Sequence, residues 1–154
     1  MVEGLRVRMA EDRDIDALVE FNKALAWETE RKRLSTSVLT DGVRALLEKP
    51  EYGFYVVVET TSETVGCLMV TYEWSDWRCG VIWWIQSLYI KPDFRRQGVF
   101  RKLYEFIVEK ASRNSNVCGF RVYVAESNQA AQRAYAKLGM EETYYKVYEA
   151  QLDK

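Results

Sequence analysis

WWIQSLYI-KPDFRRQG-VFRKLYEFIVEKA, residues 83 to 111, decides the fold of this chain. Trp83 to Ile90 is apolar, aromatic and β-branched, which suits a strand buried on both faces. Lys91 to Gly98 reads as a tight turn with Pro92, three basic residues and a closing glycine. Val99, Leu103, Phe106, Ile107 and Val108 then fall at helical spacing and predict one apolar stripe over Val99 to Ser112. The unit is strand, basic turn, helix.

Such a unit can hold an anion. The first amides of a helix have no partner within it and carry the positive end of its dipole. Arg95 and Arg96 add fixed charge, and Gly98 removes a side chain where ligand oxygens would approach the backbone. The residues alone admit a second reading, a solvated basic turn whose glycine simply starts a helix.

Outward from this unit the chain alternates strands and helices. Leu5 to Met9 alternates apolar and basic residues and predicts a first strand. Asp12 or Asp14 caps a helix that runs to about Ala26, with Ile15, Leu18, Val19 and Phe21 or Leu25 inward. Trp27 to Ser37 reads as a loop or short helix, and Thr40 to Leu47 as a second helix. Phe54 to Glu59 and Val65 to Tyr72 are strands. Glu73 to Gly80 reads as a loop rich in tryptophan and charge, and Val81 to Ile90 as the central strand. Gly119 to Ala125 is a strand, and Asn128 to Leu138 a helix ended by Gly139 in a left-handed cap. Met140 to Leu152 predicts one last strand or two. The expected fold class is α/β (α+β): a mixed, mostly antiparallel central sheet with helices on both faces, in one domain over residues 1–154.

Composition narrows the function. At 154 residues the chain has the size of one domain and can bury a sizeable core. A net charge of −1 argues against a general nucleic-acid or membrane-surface binder. No apolar run reaches membrane-span length, and the opening MVEGLRVRMAEDRD lacks a signal peptide's apolar core. Cys67, Cys79 and Cys118 are odd in number and widely spaced, as in a reduced cytoplasmic protein. With no histidine and no paired cysteines, no metal site is expected, and Ser-His or Cys-His nucleophiles are excluded.

Arg95-Arg96-Gln97-Gly98-Val99-Phe100 resembles the Arg/Gln-x-x-Gly-x-Gly/Ala motif of the GNAT acyl-CoA N-acyltransferase superfamily, departing from it at Phe100, where a small residue is usual. The stretch from Asn128 to Gly139, NQAAQRAYAKLG, resembles the family's Asn-x-x-Ala-x-x-x-Tyr-x-x-x-Gly signature. The order of elements is also that of the family. The resemblance implies a GNAT-type fold in which two parallel strands splay apart and acetyl-CoA lies in the gap. Leu88, Tyr89 and Ile90 would border the pantetheine arm, with Leu88 and Ile90 offering backbone groups. Gln97, Gly98, Val99, Phe100 and Arg101 would offer amides to the pyrophosphate that Arg95 and Arg96 neutralise. Asn128 would bind the pantetheine arm, and Tyr135 would serve the leaving sulfur. Read without the resemblance, Asn128 is an N-cap and Tyr135 a core aromatic.

The family often carries a glutamate at the place of Gln86, which takes or relays the amine's proton. Gln86 cannot ionise, but it can hold a water or the substrate. Glu28, Glu30, Glu73 and Asp76 are the carboxylates that could act as base. The resemblance places the acceptor among Trp27, Glu28, Glu30, Glu73, Trp84 and Ser87. Acid and aromatic groups together suit a small cationic amine. Tyr72, Trp74 and Gly80 loosely resemble diamine N-acetyltransferases, while Gln86-Ser87 departs from the acidic pair found there. The same tryptophans would also pad a core or a dimer interface. The expected activity is direct acetyl transfer to a small-molecule amine, in a protein that binds neither nucleic acid nor membrane. Homodimers are common in the family. Protein N-terminal or lysine acetylation and a non-catalytic acetyl-CoA-binding module are the alternatives. A P-loop is excluded because no Gly-Lys-Ser/Thr follows the glycine.

Overall fold

The computed structural model describes residues 4–153. In chain order the elements are β1 (Arg6–Met9), α1 (Ile15–Glu30), α2 (Thr36–Glu48), β2 (Gly53–Glu59), β3 (Thr64–Ser75), β4 (Gly80–Ile90), α3 (Val99–Ser112), β5 (Val117–Val122) and α4 (Gln129–Lys137). They fall into two compact units, one ending at Tyr123 and one starting at Val124.

The first unit holds the sheet, whose strands lie side by side in chain order from β1 to β5. Pairing is antiparallel from β1 through β4, and β5 joins β4 in parallel. This is the mixed, mostly antiparallel sheet that the element order predicts. Every residue of β2 from Gly53 to Val58 is buried, because both faces of the sheet are covered. Alternation divides the strand between them. Phe54, Val56 and Val58 join Val70, Trp83 and Ile85 against Val99, Leu103, Ile107 and Ala111 of α3. Tyr55 and Val57 join Cys67 and Tyr89 against Leu18, Val19 and Phe21 of α1 and Val43 and Leu46 of α2.

Several predicted boundaries shift. The loop expected from Trp27 is helix as far as Glu30, and Arg31 ends α1 in the left-handed conformation at φ 52°. Helix α2 starts at Thr36 and not Thr40, because the Ser35 hydroxyl accepts from the Val38 amide. The Thr40 hydroxyl instead donates to the Thr36 carbonyl one turn back. Strand β3 continues to Ser75, since Tyr72 pairs with Trp83 and Trp74 with Val81 across the ladder. Only residues 76–79 are left for the turn. Strand β5 begins at Val117, opposite Val81, and ends at Val122. On α3, Val108 is exposed. It lies nine residues beyond Val99, and about 100° per residue carries it to the opposite side of the helix; Ala111 completes the buried stripe in its place.

Asp14 holds the N-cap position of α1 as expected, but its side chain bonds back toward the preceding chain and not to the amides of α1. Its carboxylate accepts from Arg8 Nη1 at 2.7 Å and Nη2 at 2.9 Å, and from the Glu11 amide at 2.8 Å. Arg8 also donates to Glu59 at 3.0 and 3.1 Å. One nearly buried guanidinium thus ties β1, β2 and the entry to α1.

In the second unit, Asn128 caps α4, its side chain accepting from the Ala131 amide at 3.1 Å. Gly139 follows at φ 87°, the left-handed position predicted for it. The strand or strands expected over Met140 to Leu152 do not form; no residue there belongs to a strand. A strand is defined by hydrogen bonds to a neighbour, and apolar alternation alone does not supply one.

Candidate active site

The parallel pair opens on one side. Register runs from Val81 opposite Val117 to Ile85 opposite Val122, where β5 stops. Strand β4 continues to Ile90, so Gln86 to Ile90 have no β5 partner. In this stretch β4 also departs from regular pleat. Cys67 pairs with Tyr89 and Met69 with Gln86, so β4 carries one residue more than β3 there. Ser87 sits at φ 50° in that bulge. Its carbonyl accepts from the Cys67 thiol at 3.4 Å. Burial pushes the Cys67 thiol up to about 12, so it is a neutral packing group. Leu88 and Ile90 pack into the α3-side core, and Tyr89 into the other, where its ring stacks on Phe21 at 5.4 Å.

The basic turn follows at once. Arg96 and Gly98 both take positive φ, 61° and 79°. The first α3 bond runs from the Lys102 amide to the Gly98 carbonyl at 3.1 Å, so the amides of residues 99–101 precede the first rung. A Cβ built on Gly98 would meet nothing within 4 Å, so the space in front of it is open. Val99 is buried and anchors the helix start, while Arg96 and Arg101 are exposed. Gln97 Nε2 donates to the Asp93 carbonyl at 2.8 Å, closing the turn. Phe100 lies half-buried, its ring 6.3 Å from that of Tyr104 one turn on. Arg95 is the most connected member: Nε donates to the Ile90 carbonyl at 2.7 Å, Nη2 to Glu28 at 2.8 Å, and the guanidinium lies 5.3 Å from the Tyr89 ring.

The face of the sheet beside α1 carries two of the six expected acceptor residues, Glu73 and Trp84, together with Gln86. Thr71 and Glu73 on β3, Trp84 and Gln86 on β4, and Arg121 on β5 come together there through the strand register. Gln86 Nε2 donates to the Thr71 hydroxyl. Glu73 accepts from the Trp84 indole at 2.7 Å and from Arg121 Nη1 at 3.0 and 3.1 Å. The indole bond, joined by the guanidinium, holds the Glu73 carboxyl below its usual range. The Trp84 ring lies 4.5 Å from Tyr123. Sequence reasoning missed Thr71, Arg121 and Tyr123. Their alternation along β3 and β5 was readable, but not the register that brings them opposite Trp84 and Gln86.

Of the other expected groups, Trp27 and Glu28 are already engaged. Trp27 is flanked by Arg31 and Arg33, their guanidiniums 5.3 and 4.5 Å from its ring. Glu28 is held by Arg95, and Glu30 is exposed at the end of α1. Asp76 lies exposed in the β3–β4 turn. Asn128 and Tyr135 belong to the second unit. Burial raises the Tyr135 phenol above its ordinary value.

A model of the acetyltransferase (GNAT) family matches residues 17–140. The chain belongs to this family. It is an acyltransferase, and the matched residues include β4 and the Arg95–Gly98 turn. This GNAT chain is 40% identical to a possible acetyltransferase from Clostridium difficile 630 of known crystal structure. The match has a TM-score of 0.89 and covers 99% of this chain and 100% of that one. A predicted acetyltransferase with acetyl-CoA from Clostridium acetobutylicum shares the fold at 16% identity, TM-score 0.78, over 95% and 96% of the two chains. So does an aminoglycoside N-acetyltransferase in complex with CoA, at 14% identity, TM-score 0.80, over 98% and 99%. No curated protein matches the GNAT chain. Among its described residues no helix is long and apolar enough to cross a membrane.

Proposed function

We propose that this chain is a single-domain N-acetyltransferase that moves the acetyl group of acetyl-CoA directly onto the primary amine of a small, cationic acceptor. The observation that carries the reading is the run of β4 from Gln86 to Ile90, which lacks a β5 partner and leads straight into the positive-φ turn before α3. An extended amide-bearing arm can pair with such an edge as a further strand would. The diphosphate at its end suits the amides of residues 97–101, with Arg95 and Arg96 supplying charge. Acetyl-CoA supplies a thioester carbon: the acceptor's nitrogen bonds to it, the carbon–sulfur bond breaks, and the sulfur leaves with the electron pair. The nitrogen attacks as the free amine and sheds one proton to solvent water, and the sulfur leaves as a thiolate that solvent reprotonates; the chain's own groups position these species. Tyr135 donates a hydrogen bond to the departing sulfur, and Gln86, held by Thr71, orients the amine or a water. Asn128 holds the pantetheine arm. The protein works in the cytoplasm as a homodimer.

Calorimetry with coenzyme A, followed by thiol release with acetyl-CoA and a panel of amines, tests the reading. Binding with turnover only on cationic small amines supports it. Turnover on peptides alone points to a protein acetyltransferase, and binding without turnover to a non-catalytic module. No binding ends the proposal.

Two residues give sharper tests. Gly98→Ala places a Cβ in the left-handed region at a cost of roughly 1–2 kcal/mol and directs it into the space where phosphate oxygens would lie. Coenzyme affinity is expected to fall about tenfold or more, with the melting temperature moving by only a few degrees. A variant that binds as wild type does would place the diphosphate elsewhere. Glu28 competes for the guanidinium that the diphosphate needs. The pair is about 40% exposed on both sides, 41% and 38%, which limits its strength to roughly 1 kcal/mol. Glu28→Gln is therefore expected to tighten coenzyme binding by about two- to fivefold and to raise the KM for a cationic acceptor. In the wild type the diphosphate would draw Arg95 away and free the Glu28 carboxylate for the amine, so the coenzyme would prepare the acceptor site. An unchanged coenzyme affinity in the Glu28→Gln variant would remove this coupling.

A further inference from the structure

Glu73 would anchor a cationic acceptor if it stood alone, but the structure gives it cations of its own. Its oxygens accept from Arg121 Nη1 at 3.0 and 3.1 Å and from the Trp84 indole at 2.7 Å. Arg78 comes close on the same side: its Nη1 would lie 3.3 Å from a Cβ built on Gly119, two residues before Arg121, and its charge also lowers the Glu73 carboxyl. One carboxylate thus faces two guanidiniums. The second ammonium of a plain diamine would meet a neutralised carboxylate with like charge beside it. The pair is nevertheless open to a ligand, with the Arg121 and Glu73 side chains 25% and 39% exposed. A carboxylate has about four lone-pair sites, and the described partners fill three, so Glu73 can accept one bond more.

The strand register sets what lies between this pair and Gln86. Arg121 is opposite Trp84 on one side and Thr71 opposite it on the other, so all three share a face with Glu73 and Gln86. The Trp84 ring, 4.5 Å from that of Tyr123, gives this face an aromatic floor. Gln86 is two residues beyond Trp84, about 6.6 Å on at the rise of a strand. An aliphatic chain of about three or four methylenes covers that distance.

We infer that the acceptor is a basic α-amino acid whose ammonium–carboxylate end lies head to tail on the Glu73–Arg121 pair and whose side-chain amine reaches Gln86, and that Arg121 is the residue that selects it over a plain diamine. This rests on the acetyl-transfer reading above and names the acceptor class within it. The α-ammonium donates to Glu73, and the α-carboxylate lies against the Arg121 charge. Two opposed ion pairs side by side bring each charge to its opposite, and this attraction adds to whatever other bonds the guanidinium makes. The aliphatic chain crosses the Trp84 ring. The acceptor keeps a net positive charge, carried by the amine that reacts. Both halves of the head group are read: without the carboxylate the α-ammonium faces Arg121, and without the ammonium the carboxylate faces Glu73.

Thiol release with acetyl-CoA on lysine and ornithine, set against cadaverine and putrescine, their decarboxylated forms, tests this. The wild type should show kcat/KM about 10- to 100-fold higher on the amino acids, chiefly through KM. Lysine blocked at its α-nitrogen should fall with the diamines, and mass spectrometry should find the acetyl group of the lysine product on the side-chain nitrogen. Arg121→Gln should bring each amino acid and its diamine to within about threefold, with the diamine improved. Arg121→Lys, which keeps the charge, should restore part of the preference, whereas a merely structural Arg121 would lose both substrates alike. The wild-type comparison decides even where a variant does not fold. Diamines used as well as the amino acids, acetylation at the α-nitrogen, or an equal loss on both substrates in Arg121→Gln overturns the inference and leaves the N-acetyltransferase standing. Failure to bind coenzyme A, or to turn over any amine, overturns both.

Discussion

Tyr135→Phe is expected to lower turnover by roughly 10- to 1000-fold while leaving coenzyme affinity nearly unchanged. The reason lies in what a phenol can do for a departing thiolate. Tyrosine's ordinary pKa is about 10 and a thiol's about 8.5, so full proton transfer is uphill by roughly 2 kcal/mol, 1.5 units at 1.36 each. Burial raises the Tyr135 phenol further, which makes transfer harder still. It also keeps the hydroxyl protonated from pH 7 to pH 9, which lies below even the ordinary phenol value. Tyr135 therefore acts as a standing hydrogen-bond donor to developing charge, and the loss on removing the hydroxyl should be the same at pH 7 and pH 9. Steady-state kinetics at both pH values, with calorimetry for the coenzyme, checks this. An unaltered kcat removes Tyr135 from the mechanism; a loss confined to high pH would instead mark it as a titrating acid.

Arg8→Ala should cost about 3–5 kcal/mol of folding stability, because it strands the Asp14 carboxylate without its guanidinium. Both partners are nearly inaccessible, with 8% of Arg8 and 3% of Asp14 exposed, so solvent screens the pair little. The loss corresponds to a fall in melting temperature on the order of 10 °C for a chain of this length. The pH dependence has a definite sign. Burial alone would raise the Asp14 carboxyl, but the bonds from Arg8 and the Glu11 amide outweigh it and hold the carboxyl below its ordinary value. Arg8 likewise lowers Glu59. Groups with depressed folded pKa contribute stability above their unfolded values, about 4 for carboxyls, and lose it as pH falls through the folded values. The wild type should thus weaken below about pH 4, and the gap to the Arg8→Ala variant should narrow over the same interval. Urea unfolding of both proteins at pH 7 and pH 3 measures it. A gap of under 1 kcal/mol at pH 7 would show that water or another group satisfies Asp14 once Arg8 is gone.

The parts of the candidate site legible in the sequence are those built by neighbours along the chain. The Arg95–Gly98 turn, the Val99 helix start and the Asn128 cap each depend on a few consecutive residues, and the structure forms all three. The Glu73, Trp84 and Arg121 cluster was not legible as a cluster. Glu73 was singled out as a free carboxylate for the acceptor, and Trp84 as an aromatic wall. Their meeting with Arg121 needs a hairpin register and a parallel pairing together, spanning 48 positions. Glu28 and Arg95, 67 positions apart, are a second case.

Local chemistry determined the alternation of strands and helices, the two-faced burial of the sheet and the glycine at the turn, since each follows from side-chain period or backbone freedom within a short window. Only the tertiary structure decided which charges are already paired, where β5 stops and leaves β4 open, and whether the apolar run after Gly139 becomes a strand. These outcomes depend on what lies across from a residue, and a chain does not carry its partners' positions in its own order.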